Sequence, residues 1–236
     1  MSNLHSKICS KIFFYALYYD MQILATNNTN FQSRNKTIRF ADDIVRRVNN
    51  CYPRVSSSRL DDFEYIKLFR RFKCKLNERT EHLLRYDISE GFDRTDNFIG
   101  KILSFIKPVK KYKLGNCGES AQLSAIVAKV NGLKNCYIAS LKTKEGKNLD
   151  HSVLYVEDKK PYIIDAWLGF ADYVPKAVER YKKEFKHHFD SEVEDKLKFE
   201  RLISDYTEVL NKDFSKTQIN KIRKIFPEQL IKRSYT

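Results

Sequence analysis

The stretch GNCGESAQLSAIVAKVNG, residues 115–132, decides the fold because it predicts a single helix built largely from small residues. Asn116 stands where an N-cap is expected, and Glu119 follows it at the spacing of a capping box. Gly132 suits the other end, because glycine readily adopts the left-handed conformation that closes many helices. We therefore expect an Ala- and Ser-rich helix over residues 118–130.

Strand-type segments follow this helix. Three short apolar runs occupy residues 136–141, 151–157 and 162–167. Two tight turns, at 144–148 and 158–161, separate them. Since turns this short join antiparallel neighbours, the sequence predicts a small antiparallel sheet beside the helix.

Helical patterns dominate both flanks of this core. Residues 1–110 predict an N-terminal helical extension and residues 176–236 a C-terminal one, around a core at 111–175. The individual helices are predicted at 39–51, from Ser58 through Phe72, from Thr80, from Phe98 to a stop at Pro108, from Pro175, from Ser191 through Leu210, and from Ser215. Because no linker rich in Gly, Ser or Pro separates the three parts, we expect one α+β domain with helices packed around the sheet.

The chain is strongly basic. Its 236 residues include 44 Lys and Arg against 30 Asp and Glu, a formal net charge of +14. Such a surplus favours acidic partners, although a Lys-rich soluble surface gives the same balance. No zinc-finger, RNP-type aromatic or basic-zipper motif accompanies the charge, which disfavours a nucleic-acid partner.

The N-terminal apolar run at residues 12–19 is too short to span a bilayer, and no small-residue cleavage site follows it. A buried helix explains this run better than a signal peptide does. We therefore expect no membrane span. The expected location is the cytoplasm of the producing cell, or a host cell reached by secretion without a conventional signal peptide.

Five cysteines, at positions 9, 51, 74, 117 and 136, are odd in number and irregular in spacing. No Cys-x-x-Cys pair occurs among them, which excludes a zinc knuckle or a thioredoxin motif and fits free thiols in a reducing compartment. The sequence also lacks a His-Glu-x-x-His set, a P-loop and a dinucleotide-binding glycine fingerprint. It therefore predicts neither a metal nor a cofactor.

Cys117 is the candidate nucleophile, at the first position of the predicted helix. The positive end of a helix favours the thiolate, which is the reacting form of cysteine. Gly118 leaves room for a substrate, and the backbone N–H of Cys117 is a candidate donor to a developing oxyanion. For this motif alone, the alternative is a buried structural cysteine beside a glycine turn, with Glu119 acting only as a cap.

His151 and Asp165 are the candidates for a base and for the residue that orients it. Their separation of 165 − 151 = 14 residues puts the centre of a symmetric hairpin near residue 158, where a turn is predicted. The spacing therefore predicts that the two side chains face each other across adjacent strands. Trp167 can shield the pair from water. A non-catalytic salt bridge, with Trp167 as ordinary core packing, is the alternative.

Taken together, three segments resemble the papain-like and transglutaminase-like cysteine enzyme superfamily. Residues 115–118 resemble the segment that begins its central helix with the nucleophile. Residues 150–153 resemble its histidine strand, and residues 165–169 its Asn/Asp-x-Trp stretch. The resemblance covers about residues 111–170 and implies a papain-like core, in which the helix that carries the cysteine packs on a small antiparallel sheet.

By this resemblance Cys117 is the nucleophile, His151 the base and Asp165 the orienting residue. The Cys-to-His separation is 151 − 117 = 34 residues, compared with about 130 to 150 in papain-type proteases. The compact spacing is closer to transglutaminases, arylamine acetyltransferases and small bacterial papain-fold toxins and effectors. The usual glutamine before the cysteine is absent, and the candidates for its oxyanion role or for substrate contact are Tyr112, Lys113, Asn116, Gly118 and Trp167.

The resemblance implies a bacterial effector or toxin that attacks an amide of another protein. Glutamine deamidation or transglutamination is the preferred reaction, and proteolysis by the same triad is the alternative. The expected partner is a protein substrate. A host protein with an acidic face is one such substrate, because the basic helices could bind that face. An alternative of another class is a non-catalytic, basic helical binding module. The sequence does not set the oligomeric state.

Overall fold

A computed structural model of the chain describes residues 36–51, 70–112, 115–143, 146–186 and 197–225. Its contacts divide the chain between Arg39 and Phe40, and the sheet and the candidate site lie in the part that begins at Phe40. The described elements are α1 Lys36–Cys51, α2 Arg70–Asp93, α3 Phe98–Tyr112, α4 Cys117–Val130, β1 Cys136–Thr143, β2 Asn148–Val156, β3 Tyr162–Asp165, β4 Phe170–Tyr173, α5 Val174–Lys186, β5 Leu197–Arg201, α6 Asp205–Asn211 and α7 Lys216–Arg223. This order confirms the predicted α+β class.

Five strands form one antiparallel sheet in the order β4-β3-β2-β1-β5. The three predicted strands are β1, β2 and β3, and they pair in antiparallel fashion as predicted. Two strands come in addition: β4 pairs with β3 directly after a short turn, and β5 pairs with β1 from later in the chain. The strands that carry the candidate histidine and aspartate, β2 and β3, are therefore interior strands.

Both faces of the sheet are buried. On one face, alternate residues of the strands form a cluster with Ala177, Tyr181 and Phe185, which are spaced four residues apart along α5. The residues that alternate with them, such as Leu154 and Ile164, are fully buried too. α4 contacts β1, β2 and β3. The cluster around Ala177, Tyr181 and Phe185, here called the α5 cluster, includes no residue of α4. We therefore assign α4 to the opposite face of the sheet, so that β2 lies between the two helices.

The helix α4 forms where the small-residue stretch predicts it, over Cys117–Val130. Its C-terminus has both hydrogen bonds of a Schellman motif, because Leu133 donates to the carbonyl of Ala128 and Gly132 to that of Lys129. Gly132 has a φ of 91°, the left-handed conformation expected of the closing residue. The length of the helix is therefore set by local sequence signals.

The helix α3 runs past Pro108 to Tyr112, so the prediction that this proline stops the helix was wrong. Proline removes one backbone N–H and crowds the preceding turn, which destabilises a helix in isolation. Here Pro108 and Val109 are buried. The last turn is also bonded to α2, where Asp87 accepts from the Tyr112 hydroxyl and from the Lys111 ammonium. This packing outweighs the local penalty of the proline.

Residues 197–201, predicted as part of a helix, form strand β5, so that prediction was wrong. Leu197 and Phe199 pack against the α5 cluster, whereas Lys198 and Glu200 are exposed. Alternation with a period of two is the pattern of a half-buried edge strand. The sheet therefore draws one strand from the predicted C-terminal extension.

The remaining helix starts differ from prediction in smaller ways. Thr80 lies inside α2, which already includes Arg70. Pro175 is the second residue of α5 rather than the first. The capping box predicted at Ser215 is present at the start of α7. The predicted starts at Ser58 and Ser191 lie outside the described residues.

Candidate active site

Cys117 is the first residue of α4, and two carboxylates fix the chain where it enters the helix. Glu119 accepts the backbone N–H of Asn116 at 2.8 Å, which is the Glu half of the predicted capping box. Glu81, on α2, accepts the side-chain amide of Asn116, also at 2.8 Å. The Cys117 side chain is only partly buried. Its thiol is therefore held at the positive end of the helix while remaining accessible.

The strand β2 is irregular where it passes this helix. The paired positions on either side of the irregularity are Ser140 with Ser152 and Lys142 with Asn148. Three residues of β2, 149–151, therefore lie opposite the single residue Leu141 of β1. Such a bulge re-aims the side chains around it and is common beside functional sites.

Asp150, at the centre of the bulge, has a φ of 50°, a left-handed conformation that Asp tolerates better than most residues. The side-chain oxygen of Asn148 supports this turn by accepting the N–H of Asp150 and the hydroxyl of Ser140, both at 3.0 Å. The carbonyl oxygen of Asp150 lies 3.6 Å from Sγ of Cys117. The bulge therefore joins the thiol to the residue that precedes His151.

His151 and Asp165 form a buried pair. The distance from Nε2 of His151 to Oδ2 of Asp165 is 2.7 Å, and each side chain is 1% exposed. Cys117 lies close enough to the same imidazole to help raise its pKa. Since Nε2 faces the carboxylate, Nδ1 is the ring nitrogen left for the thiol. The structure thus brings the three predicted residues together in the order thiol, imidazole, carboxylate.

The two strands do not set His151 directly opposite Asp165, so that detail of the prediction was wrong. The observed pairs between β2 and β3 are Leu154 with Ile164, Tyr155 with Ile163 and Val156 with Tyr162. Continued by one step, this register puts Val153 at the level of Asp165, and the His–Asp contact is diagonal. The last pair, Val156 with Tyr162, leaves residues 157–161 to the turn, which includes Pro161, a residue with no N–H to donate to a ladder.

Four donors hold the Asp165 carboxylate. Its Oδ2 accepts from His151 and from the hydroxyl of Tyr181, the latter at 3.0 Å. Its Oδ1 accepts the backbone N–H groups of Trp167, at 3.0 Å, and Leu168, at 2.9 Å. The carboxylate therefore cannot turn away from the imidazole without losing several hydrogen bonds.

Three aromatic rings surround the His151 imidazole. The distance between ring centroids is 5.2 Å to Trp167, 5.5 Å to Tyr181 and 5.2 Å to Phe185. Trp167 comes from the turn after β3, and the other two rings come from α5. These rings exclude water from the His–Asp contact and leave the imidazole few alternative orientations.

The charge state of His151 follows from these surroundings. Burial by itself would lower the pKa of His151, but the charge and hydrogen bond of Asp165, together with the neighbouring Cys117, raise it to about 9. An imidazole this basic can take the proton of a neighbouring thiol and later give a proton to a leaving amine. The arrangement is therefore suited to nucleophilic catalysis by a cysteine.

Of the other predicted site residues, some lie beside Cys117 and His151 and others do not. Trp167 contributes both its ring and its backbone N–H, as described above. A Cβ atom added to Gly118 would meet no described atom within 4 Å, so the space beside Cys117 is open. Tyr112 is engaged elsewhere, since its hydroxyl donates to Asp87 on α2. Lys113 lies outside the described residues.

Sequence reasoning missed Tyr181 and Phe185. Both stand on α5 in a stretch of mostly charged residues, where no motif marks them. A signal was nevertheless present, because Ala177, Tyr181 and Phe185 recur every four residues and so form one apolar face of a helix. The face could have been predicted, but its contact with Asp165 depends on how α5 packs on the sheet.

Within the described ranges, no group of three or more His, Cys, Asp or Glu side chains is arranged to hold a metal ion. None of the helices in the same ranges has the length and apolar character needed to cross a membrane. Comparison of the chain with protein-family models, with curated proteins and with solved structures finds no match.

Proposed function

We propose that this protein is a cysteine-dependent acyl-transfer enzyme that acts on an amide of another protein. The observation that carries the proposal is the contiguous set of Cys117, His151 and Asp165, with a partly accessible thiol and a buried 2.7 Å His–Asp contact. A papain-like core is the fold that goes with this set, in keeping with a cysteine helix beside an antiparallel sheet.

The reaction begins when the thiolate of Cys117 adds to the carbonyl carbon of the amide. Negative charge then develops on the carbonyl oxygen, and the N–H groups in the first turn of α4 are donors for it, because they have no carbonyl partner within the helix. His151 gives its proton to the nitrogen as the C–N bond breaks. Ammonia or an amine leaves, and the acyl group remains on the sulfur as a thioester.

The second half of the reaction removes the acyl group. His151, now neutral, takes a proton from water or from an amine, and the resulting nucleophile attacks the thioester. The Cys117 thiolate departs and the His–Asp pair is again protonated. Attack by water on a γ-glutamyl thioester yields glutamate, and attack by an amine yields a crosslink. Deamidation or transglutamination is our preferred outcome, and main-chain cleavage is the alternative.

The surplus of positive charge, +14 over the whole chain, suits a protein substrate with an acidic face. A compact enzyme of this type fits a bacterial effector or toxin. It would be made in the cytoplasm and would meet a host protein after export. This part of the proposal rests on charge and on the resemblance of the site residues.

Mass spectrometry of candidate protein substrates tests the proposal directly. The expected product gains about one dalton for deamidation. A crosslinked or cleaved product identifies one of the other two reactions. Each product should disappear in the Cys117→Ala and His151→Ala variants. Product formation that persists in Cys117→Ala would exclude Cys117 as the nucleophile.

Thiol labelling distinguishes this enzyme from a non-catalytic basic binding module. Burial raises the pKa of Cys136 to about 11, and it also raises the pKa of Cys51. Both thiols should therefore react slowly with iodoacetamide near neutral pH, whereas Cys117 should react fast. Peptide mapping after brief labelling should find Cys117 modified first. Uniform slow labelling of these three cysteines would favour the binding module.

A further inference from the structure

The hydroxyl of Tyr181 donates a hydrogen bond to Oδ2 of Asp165, the same oxygen atom that contacts the imidazole of His151. We propose that Tyr181 is a positioning residue, whose hydroxyl shares Oδ2 of Asp165 with His151 and so limits how strongly the carboxylate retains the imidazole proton. The consequence for turnover rests on the proposed function. The consequence for His151 itself does not, and it can be measured without any substrate.

The geometry places both donors on one acceptor. Oδ2 of Asp165 lies 2.7 Å from Nε2 of His151 and 3.0 Å from the hydroxyl of Tyr181. Tyr181 is fully buried, and its ring stacks on Phe185 at 5.8 Å and packs against Phe170 at 5.4 Å. The hydroxyl is thus held in place by the packing of α5 rather than by a flexible loop.

The tyrosine is a permanent donor. Burial, followed by the charge and hydrogen bond of Asp165, raises the pKa of Tyr181 well above its ordinary value. Its hydroxyl therefore stays neutral throughout the pH range in which an enzyme works. Because Asp165 accepts this proton, part of the electron density on Oδ2 is committed to Tyr181 and is not available to the imidazolium.

Loss of the hydroxyl should therefore strengthen the ion pair between Asp165 and His151. An imidazolium held more tightly is a weaker acid, and it returns its proton to a leaving amine more slowly. A purely structural tyrosine would behave differently: its hydroxyl could be removed at some cost in stability without any effect on the proton affinity of His151.

Histidine NMR of the full chain separates these possibilities. The experiment titrates ¹⁵N-labelled His151 in a Cys117→Ala background, so that no thiol titrates with it. Tyr181→Phe removes only the hydroxyl. Tyr162→Phe is the matched control, because Tyr162 is also buried, on β3, and its described ring and charge neighbours do not include Cys117, His151 or Asp165. Unfolding by urea monitors the stability of each protein.

We expect the midpoint of the His151 titration to rise by about one pH unit in Tyr181→Phe and to stay unchanged in Tyr162→Phe. An unchanged or lowered midpoint in a folded Tyr181→Phe would overturn the proposal. If that variant does not fold, 3-fluorotyrosine introduced at position 181 alone keeps the ring and makes the hydroxyl a stronger donor. The midpoint should then fall, and an unchanged or higher midpoint would overturn the proposal.

Turnover supplies a second readout once a substrate is known. With Cys117 restored, Tyr181→Phe should lower kcat about three- to tenfold and move the alkaline limb of the pH–rate profile to higher pH. Tyr162→Phe should leave that limb unchanged. Should the NMR midpoint move while no variant shows activity, the coupling of Tyr181 to His151 would stand and the proposed enzymatic function would fail.

Discussion

His151 and Asp165 meet diagonally across β2 and β3, two residues away from direct opposition, and the contact is nevertheless only 2.7 Å long. A diagonal pair has to lean along the strands, so other contacts must hold both side chains in that orientation. For Asp165 these contacts are the hydroxyl of Tyr181 and the N–H groups of Trp167 and Leu168. The pair is thus a product of the turn and of α5 as well as of the strands.

This dependence predicts the effect of Asp165→Asn. All four partners of the carboxylate donate hydrogen bonds, so the amide group of Asn would set a donor against a donor. We expect a loss of about 1–3 kcal/mol in the free energy of unfolding, and a fall in turnover of about 10²- to 10⁴-fold as His151 loses its orienting charge. Urea unfolding and substrate assays measure the two effects.

Asp158→Asn is the control for that substitution. Asp158 is exposed in the turn between β2 and β3, and its side chain accepts only the neighbouring N–H of Lys159 among the described contacts. Its replacement should change stability by no more than about 0.5 kcal/mol. Equal losses in the two variants would argue against a special role for the buried carboxylate.

The raised pKa of His151 predicts how stability depends on pH. In the unfolded chain His has a pKa of about 6.5, whereas in the folded protein it is raised to about 9. The folded state therefore binds the proton more tightly, and this stabilisation is complete below pH 6.5 and is lost as the pH rises through 9. Between these limits the free energy of unfolding should fall by up to about 3 kcal/mol.

A comparison with His151→Gln isolates this contribution, because glutamine does not titrate. Urea unfolding of both proteins at pH 6 and pH 9 gives two differences, and the wild-type protein should show the larger loss. Similar losses in both proteins would mean that the imidazole is not held as a cation in the folded state.

The sequence predicted the parts of the fold that are set locally. The helix over residues 117–130 has its cap signals within its own length, and the first three strands are joined by short turns. Strand β5 was missed because its partner, β1, lies far away in sequence. The alternation of Leu197 and Phe199 with charged residues covers only five positions, too few to choose between a strand and the helical pattern that continues to Leu210. Tertiary pairing, which local patterns do not encode, decided between them.

The candidate site likewise has parts that could be predicted from local sequence and parts that depend on tertiary packing. Cys117, His151 and Asp165 could be predicted because each stands in a recognisable local motif and the hairpin spacing links two of them. The bulge at Asp150 and the hydroxyl of Tyr181 could not be predicted in the same way. The first depends on the mismatch between β1 and β2, and the second on the packing of α5 across the sheet.

Gly118→Ala tests whether the open space beside Cys117 is used by a substrate. A methyl group at this position meets no described atom within 4 Å, and Ala has a better helix propensity than Gly. The free energy of unfolding should therefore stay unchanged or rise by up to about 1 kcal/mol. Turnover of a protein substrate should fall about tenfold or more, because the methyl group occupies the approach to the sulfur.

Iodoacetamide serves as the control for Gly118→Ala, since this small reagent needs much less space than a protein substrate. The rate of Cys117 labelling should change less than about twofold. Undiminished turnover in a stably folded variant would show that the substrate approaches from another side.

Asn148 supports the bulge at Asp150, and its described side-chain hydrogen bonds involve neither the thiol of Cys117 nor the imidazole of His151. Its side-chain oxygen accepts the N–H of Asp150 and the hydroxyl of Ser140. Asn148→Ala removes this acceptor, whereas Asn148→Asp keeps one in the same place. In the Ala variant, Asp150 should leave its left-handed conformation more easily, which makes its carbonyl group and the adjacent His151 more mobile.

The rate of Cys117 labelling should fall about three- to tenfold in Asn148→Ala and stay near the wild-type rate in Asn148→Asp. Because Asn148 is exposed, the free energy of unfolding should fall by only about 0.5–1.5 kcal/mol. Equal labelling rates in the two variants would show that the bulge does not need this side chain to hold the site.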